Sequence, residues 1–427
     1  MIAITLTVLL LVLMVLGVPV GFAMGIIGAI GLLIVGDWDI MMGILETVPL
    51  STVNSYELIT IPMFLLMAEL VLKSGIADDL FEAAAAWFGS VRGGLGMATS
   101  VAGAGFGAIC GTSTAAAATL SATSLPAMIK HGYEPKMAAG VVAISGTLAM
   151  LIPPSVILII YGLLAEANIG RLLIAGIFPG LLICLTIIVT VYILATLDPK
   201  AAPTTEPKSW AYKFKLLKVV GPMLVLILMV TGVIYSGIAT PTEASALGAF
   251  GALLITLMRK RASPRDLFDA TLRATQGTCM IAMILLGAHV FGYFFTLTGV
   301  TQDLVGWVSS LDAQPWMIMA AIFLMYVILG AFMDQIAILV LTIPVVLPVV
   351  VTLGYDPIWF GVLVIVIAEI GLLTPPMGLN CFVVAFYAKR PVTEVFGGIW
   401  PHVLAHFVAI GLMMAFPQIV LWLPSLM

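Results

Sequence analysis

Charge is what this sequence has least of. Lys, Arg, Asp and Glu together supply 9% of 427 residues, against a hydrophobic share of 62% and a mean hydropathy of +1.22. That is too little charge to wrap a soluble domain in a polar surface, and it leaves no basic patch for nucleic acid. Cysteine is almost as scarce. Cys110, Cys184, Cys279 and Cys381 stand singly in apolar segments without CxxC spacing, so neither a zinc site nor a disulfide framework is supported, and the four read as small buried hydrophobes. No GxSxG, HExxH, GxxxxGK[ST] or GxGxxG pattern occurs in a fitting context. ATP-driven transport, familiar hydrolytic chemistry and an organic cofactor therefore find no support. His402 and His406 share a helix face, and a metal pair there would need a third ligand that the sequence does not offer.

What is abundant is apolar length. Runs at 2–16, 174–194, 280–297 and 403–423 extend about 22 to 32 Å at 1.5 Å per residue, on the scale of the ~30 Å hydrocarbon core, so the chain reads as an all-α, polytopic membrane protein embedded in a lipid bilayer. The first run has no basic residue before it and no A-x-A-like site after it. It is expected to be a retained span and not a cleaved signal.

A shift of 222 residues superimposes the punctuation of the two halves. Pro19 falls on Pro241, Pro126 on Pro348, and Gly132-Tyr133-Glu134-Pro135 on Gly354-Tyr355-Asp356-Pro357. Gly176-Ile177-Phe178-Pro179 falls on Gly398-Ile399-Trp400-Pro401, and Pro153-Pro154 on Pro375-Pro376. An offset held over so long a stretch marks two homologous repeats, 1–197 and 219–427, joined by the only long polar segment, a linker at 198–218. In the first repeat, spans are expected at 2–16, 19–36 and 58–72, followed by an amphipathic stretch at 76–90. A small-residue hairpin at 95–129, a Pro-broken span at 136–165 and a last span at 172–197 complete it. The second repeats the list with spans at 216–236, 241–258 and 276–298, a stretch at 299–315, a hairpin at 316–353, a broken span at 357–388 and a last span at 398–424. The first hairpin has 35 residues including a break at Gly111-Thr112-Ser113, whereas two full crossings need about 40 residues of helix, so re-entry fits better.

Five crossings per repeat force opposite orientations on the two copies. With the linker cytoplasmic, all of the 17 basic residues except Arg171 fall inside, while 37–57, acidic and free of Lys and Arg, is expected to be an outer loop. Both termini are then expected to be periplasmic. Inverted repeats with paired hairpins and broken helices are the plan of secondary transporters.

The candidate chemistry gathers at the interruptions. In the first repeat, Gly111-Thr112-Ser113-Thr114 at the hairpin tip and Ser145-Gly146-Thr147 before Pro153-Pro154 combine small residues with hydroxyls. Carbonyls freed by such a break, together with hydroxyls, can replace the water around a hard monovalent cation, while helix N-termini at the tip suit an anion. Hydroxyls that merely back-bond to their own helices are the plainer reading. In the second repeat Asp334 replaces Thr112 and Glu369 replaces Thr147 under the shift. Carboxylates at membrane depth are rare enough to suggest ion coupling or a proton role, with hydrogen bonds to freed N–H groups as the structural alternative. Thr374 and Asn380 could serve as ligands or satisfy backbone. Glu69 and Glu243 are expected to pack or cap near span ends.

These motifs carry a resemblance. Gly111-Thr112-Ser113-Thr114-Ala115, Leu151-Ile152-Pro153-Pro154-Ser155 and Leu373-Thr374-Pro375-Pro376-Met377-Gly378-Leu379-Asn380, set in two inverted halves, resemble the large membrane subunit of tripartite ATP-independent periplasmic (TRAP) transporters, the DctM-like permeases. The resemblance covers essentially the whole chain. It implies a bacterial inner-membrane, elevator-type, Na⁺-driven importer of organic acids such as a C4-dicarboxylate or sialic acid, and not an enzyme. The implied partners are a periplasmic substrate-binding protein and a small four-helix membrane subunit on a separate chain. It implies a scaffold from 1–72 and 219–298 and a transport domain from the hairpins, broken helices and last spans. One Na⁺ site would draw on Gly111, Thr112, Ser113, Thr114, Ser145, Gly146 and Thr147, and a second on Met333, Asp334, Ala368, Gly371 and Thr374. Substrate would lie between them near Ser113, Ser155, Gly378 and Asn380. A carrier needing no binding protein, a channel, and an intramembrane enzyme with Asp334 and Glu369 as an acid pair are the competing readings.

Overall fold

The computed structural model describes residues 2–427, and no strand occurs among them. The first repeat runs α1 (Ile2–Val15), α2 (Val20–Val35), α3 (Trp38–Val53), α4 (Thr60–Lys73), α5 (Ile76–Phe88), α6 (Gly94–Cys110), α7 (Ser113–Lys130), α8 (Pro135–Gly146), α9 (Val156–Leu164), α10 (Ile169–Ala175) and α11 (Ile177–Leu197). The second runs α12 (Trp210–Tyr235), α13 (Pro241–Arg259), α14 (Pro264–Thr298), α15 (Val300–Ser310), α16 (Pro315–Gly330), α17 (Gln335–Thr352), α18 (Pro357–Leu373), α19 (Leu379–Ala388), α20 (Val392–Ala415) and the short α21 (Gln418–Leu421). Among the described residues, six helical stretches, α10 with α11 counted as one, are long and apolar enough to cross a bilayer, and a seventh span results if α3 and the bent segment after it are counted as one.

Helix starts follow local chemistry. Prolines 135, 241, 264, 315 and 357 all take a first helical position, where a missing N–H costs nothing. Reciprocal capping boxes, Thr240 with Glu243 and Ser263 with Asp266, close the N-termini of α13 and α14.

Two expectations are corrected. The stretch 37–57 is not a loop: Asp37 accepts from the Ile40 N–H and starts α3, a 16-residue helix that packs on α2 and α14. Its acids and Pro49 disguise it as loop, yet Pro49 lies inside the helix. The 222 shift explains it, because 38–73 corresponds to 260–295. The second copy is a continuous 35-residue helix, α14, and the first is the same helix bent by 55° after Asn54. The linker is also shorter than expected, since α12 already begins at Trp210. The remaining linker is pinned: Glu134 N–H donates to Ala201 O and Thr205 N–H to Gly89 O, each at 2.8 Å.

Two bundles result. In the first, α2 packs on α14 and α13 on α4, which are the same contact under the repeat symmetry. Glycines 21, 28 and 31 of α2 face Met283, Phe291 and Phe294 of α14 so closely that a Cβ on Gly21 would lie 2.7 Å from Met283 O, and one on Gly287 would lie 2.1 Å from Gly21 O. Small residues let the backbones touch, the usual way to hold helices together where lipid supplies no hydrophobic drive. The matching contact is sealed by hydroxyls: Thr60 Oγ1 meets Thr242 Oγ1 at 2.9 Å, and Thr256 Oγ1 donates to Leu70 O at 2.9 Å. The second bundle contains both hairpins, both interrupted helices, α11 and α20.

Ion pairs tie several helix ends together. Lys73 pairs with Asp266 at 2.9 Å, and Asp79 pairs with both Arg259 and Arg261, so residues distant in sequence share one basic end.

Candidate ion and solute site

The first hairpin lies against the first interruption through three glycines one turn apart. A Cβ on Gly103 would fall 2.8 Å from Ser145 O, one on Gly107 2.7 Å from Ala149 Cα, and one on Gly111 3.0 Å from Val156 Cγ2 and 3.5 Å from Pro154 O. Gly111, with φ +65°, also ends α6, a conformation natural only to glycine. The helix α8 meanwhile tightens into a 3-10 turn over Thr147–Met150 and then opens before α9. The tip itself meets the break, whereas Ser145 and Gly146 lie further along the hairpin, against Gly103 and Ala117, with Ser145 Oγ at 3.2 Å from Ser100 Oγ. The spacing of Gly103, Gly107 and Gly111 was the signal that should have named this face. Thr147 Oγ1 donates to Ile144 O at 2.7 Å, so it is back-bonded, with its oxygen still able to accept a cation.

The second pair closes more simply. Gly330 and Gly371 touch, a Cβ on Gly371 falling 2.5 Å from Gly330 Cα and one on Gly330 falling 2.7 Å from Ala368 O. Met377 N–H donates to Ala331 O at 3.2 Å, and Gln335 Nε2 to Ile365 O at 3.0 Å. Ala368 and Gly371 therefore lie against Gly330, just before Met333 and Asp334 in the chain, while Thr374 Oγ1 donates to Gly371 O at 2.8 Å. The two carboxylates differ sharply. Asp334 is exposed and caps α17, its Oδ1 accepting from Ile336 N–H at 3.0 Å and Ala337 N–H at 3.1 Å, the structural alternative raised above. Glu369 is buried in the C-terminal part of α18 with neither oxygen hydrogen-bonded.

The two halves meet at Ser113 and Asn380. Both are buried, and Ser113 Oγ donates to Asn380 Oδ1 at 3.5 Å, linking the first tip to the second interrupted helix. Gly378, with φ +51°, turns the chain into α19 beside the Phe396 ring. Ser155 has a structural task at the break. It donates to Met150 O and accepts from Leu158 N–H at 3.3 Å, bridging its own break and capping α9, which uses its hydrogen and one of its two lone pairs. Around the second break, Pro375, Pro376 and Met377 are exposed, whereas Pro153 and Pro154 are buried. Glu243 caps as expected, but Glu69 does not: it lies within α4 with a buried Oε2 that has no partner.

The bundles do not meet evenly. On the basic end α5 packs on α6, with Leu80 against Gly105. On the other end a cavity of about 420 Å³ separates α3 and α14 from α9 and α17, lined by Ser51, Thr52, Glu166, His289, Tyr293 and Pro344.

Comparison with known proteins accounts for this arrangement. Residues 7–419 match the family described as the DctM component of tripartite ATP-independent periplasmic transporters. The chain is 33% identical to the C4-dicarboxylate TRAP transporter large permease of Pseudomonas aeruginosa over 88% of both chains. It is 32% identical to an ectoine and 5-hydroxyectoine TRAP large permease of Ruegeria pomeroyi, again over 88% of both. In fold it is similar to the YdaH transporter of Alcanivorax borkumensis, with a TM-score of 0.64, 14% identity, and 90% and 91% of the two chains covered. A family match across nearly the whole chain, on a fold of hairpins and interrupted helices, makes this protein a member of the DctM family: a large membrane permease of TRAP transporters, and not an enzyme.

Proposed function

We propose that this permease takes up an organic acid together with Na⁺, receiving it from a periplasmic binding protein and working beside a small four-helix membrane subunit in the bacterial inner membrane. The observation that carries the reading is the doubled contact of hairpin tip and interrupted helix, at Gly111 with Pro154 and at Gly330 with Gly371, bridged by Ser113 and Asn380. Each break offers carbonyls and hydroxyls to a hard cation: Ser145, Gly146, Thr147 and the tip 111–114 in one, Met333, Asp334, Ala368, Gly371 and Thr374 in the other. Solute sits between them at Ser113, Gly378 and Asn380. The N-termini of α7 and α19 point their N–H groups to this junction, which favours a carboxylate where no basic residue stands. Relatives carry both a dicarboxylate and ectoine, so the acid is assigned on the helix termini and not on kinship.

The hairpins, interrupted helices and last spans act as the moving body against a scaffold of α1 to α4 and α12 to α14. The cavity of about 420 Å³ between the bundles, against tight packing at the other end, supports such a displacement. Uptake into proteoliposomes holding the assembled complex, with Na⁺ replaced by K⁺ or choline, tests the coupling. Uptake is expected to fall to background, and undiminished uptake on a proton gradient alone would overturn the sodium reading.

A further inference from the structure

The helices α7 and α19 begin at the same place. Ser113 opens α7, Asn380 is the second residue of α19, and their side chains meet at the solute junction. The two helices pack on each other, and they also end together. There a pocket of about 460 Å³ is lined from α7 by Ser121, Leu125 and Lys130, and from the end of α19 by Tyr387, Ala388 and Arg390. Both helices therefore run in parallel from the junction to the pocket. Rows at i, i+4 connect the two places: Ser113, Ala117, Ser121 and Leu125 on α7, and Asn380, Val384 and Ala388 on α19. Asn380 and Ala388 are separated by about 12 Å of helix, as are Ser113 and Ser121. The pocket lies at the basic end, since Glu134 just beyond α7 is bonded to Ala201 of the linker.

The pocket carries two cations and little to neutralise them. Among the described residues Lys130 has no ion pair, and Arg390 has only Glu394 at 3.9 Å, beyond hydrogen-bonding distance. No hydrogen bond engages the side chain of Lys130 or Arg390 or the Tyr387 hydroxyl, so all three have donors to offer, and all three residues are exposed. The volume falls within the range of small-molecule pockets, roughly 300 to 1,000 Å³.

Two plainer roles account for part of this. Basic residues at helix C-termini offset the partial negative charge of the last carbonyls, and membrane proteins keep Lys and Arg on the inner side. Neither role requires both cations to face one pocket. Under the 222-residue shift, α17 and α9 are the counterparts of α7 and α19, and Lys130 and Arg390 fall on the neutral Thr352 and Asn168. The outer cavity has the opposite character, with Glu166 in its lining and no Lys or Arg. An anion that passes from that cavity to the pocket moves toward more favourable potential.

We infer that this pocket is an inner anion site, which takes the carboxylate of the solute as it leaves the junction and passes it to the inner water. The N-termini of α7 and α19 hold the carboxylate before release, and Lys130, Arg390 and Tyr387 hold it afterwards. Replacement donors offset the loss of those at the helix N-termini, and because both cations face water the hold is weak enough to let go. The inference rests on the proposed assignment of the junction to solute, and the two can fail separately.

The test uses the complete complex carrying Ala388→Cys in phosphatidylcholine nanodiscs, with N-ethylmaleimide as thiol reagent and succinate as the anionic probe. Labelling at position 388 is read by mass spectrometry. At constant ionic strength, succinate is expected to slow labelling saturably where chloride does not. Lys130→Gln combined with Arg390→Gln is expected to raise the succinate concentration for half protection roughly tenfold, the loss of a charged hydrogen bond. Lys130→Arg combined with Arg390→Lys is expected to keep it near the parent value, which a loss of folding would not allow. In the sodium-replacement assay, succinate sealed inside proteoliposomes of the wild-type complex is expected to slow initial uptake over the same concentrations. Equal protection by chloride and succinate would mean charge screening only and would overturn the site. Protection by succinate that disappears once phosphatidylglycerol is added to the disc would assign the pocket to a lipid headgroup, which also overturns it. Internal succinate that leaves uptake unchanged at protecting concentrations would refute release through this pocket. If succinate protects the pocket and slows uptake while Asn380→Ala leaves Na⁺-dependent uptake unchanged, the inner site is supported and the junction assignment is the reading that fails.

Discussion

The contact of α2 with α14 gives a sharp test, because two glycines five residues apart on α14 stand in opposite surroundings. A Cβ on Gly287 would lie 2.1 Å from Gly21 O and 2.9 Å from Gly21 C, while a Cβ on Gly292 meets nothing within 4 Å. Relieving the first contact to ordinary carbon–oxygen separation requires the helices to part by roughly 1 Å, which forfeits a quarter to a half of the attraction at each facing pair. The neighbouring contacts, Gly21 on Met283 and Gly28 on Phe291, cannot absorb this, since they are backbone on backbone. Gly287→Ala should therefore cost the overpacking range of about 1 to 3 kcal/mol. Gly292→Ala should be neutral or stabilising by up to about 1 kcal/mol, as alanine favours helix. Thermal unfolding of the purified protein in detergent, followed by intrinsic tryptophan fluorescence, reads the difference. Equal midpoints for the two variants, or a more stable Gly287→Ala, would refute the claim that backbone contact holds this bundle together.

Three further outcomes are expected. Asp79→Asn, which strips Arg259 and Arg261 of their shared carboxylate, should destabilise by about 1.5 to 3 kcal/mol in the same unfolding assay, with Asp79→Glu partly restoring it. Thr240→Val breaks the capping box of α13 and should cost about 1 kcal/mol, seen as faster hydrogen exchange confined to the first turn of that helix. Ser145→Ala and Thr374→Ala should each raise the sodium concentration for half-maximal uptake about tenfold, roughly 1.4 kcal/mol of lost ion binding, and unchanged sodium dependence would remove those residues from the sites.

Much of the architecture was legible because it is written as punctuation. Pro153-Pro154 and Pro375-Pro376 interrupt apolar segments, Gly111 ends one hairpin helix, and the 222-residue offset repeats the pattern, so membrane physics alone demands interrupted helices and paired hairpins. The helix α3 was illegible for the converse reason. Its Asp39, Glu46 and Pro49 have loop composition, and only packing on α2 and α14 makes them helical. The cap that Ser155 makes was not legible either, since a hydroxyl after a Pro pair can face a ligand or its own backbone, and the sequence is the same in both cases.

Composition, periodicity and the repeat by themselves determined a helical membrane protein of two homologous halves, because burial in lipid constrains every residue in the same way and leaves its mark along the chain. Tertiary structure alone decided what each polar group does. Asp334 and Glu369 look alike in sequence, both acids near a break, yet Asp334 caps α17 at an exposed helix start while Glu369 lies buried and unpartnered within α18. Whether a carboxylate finds an N–H group depends on which side of its helix faces which neighbour, and that is set by contacts between segments hundreds of residues apart, such as Ser113 with Asn380.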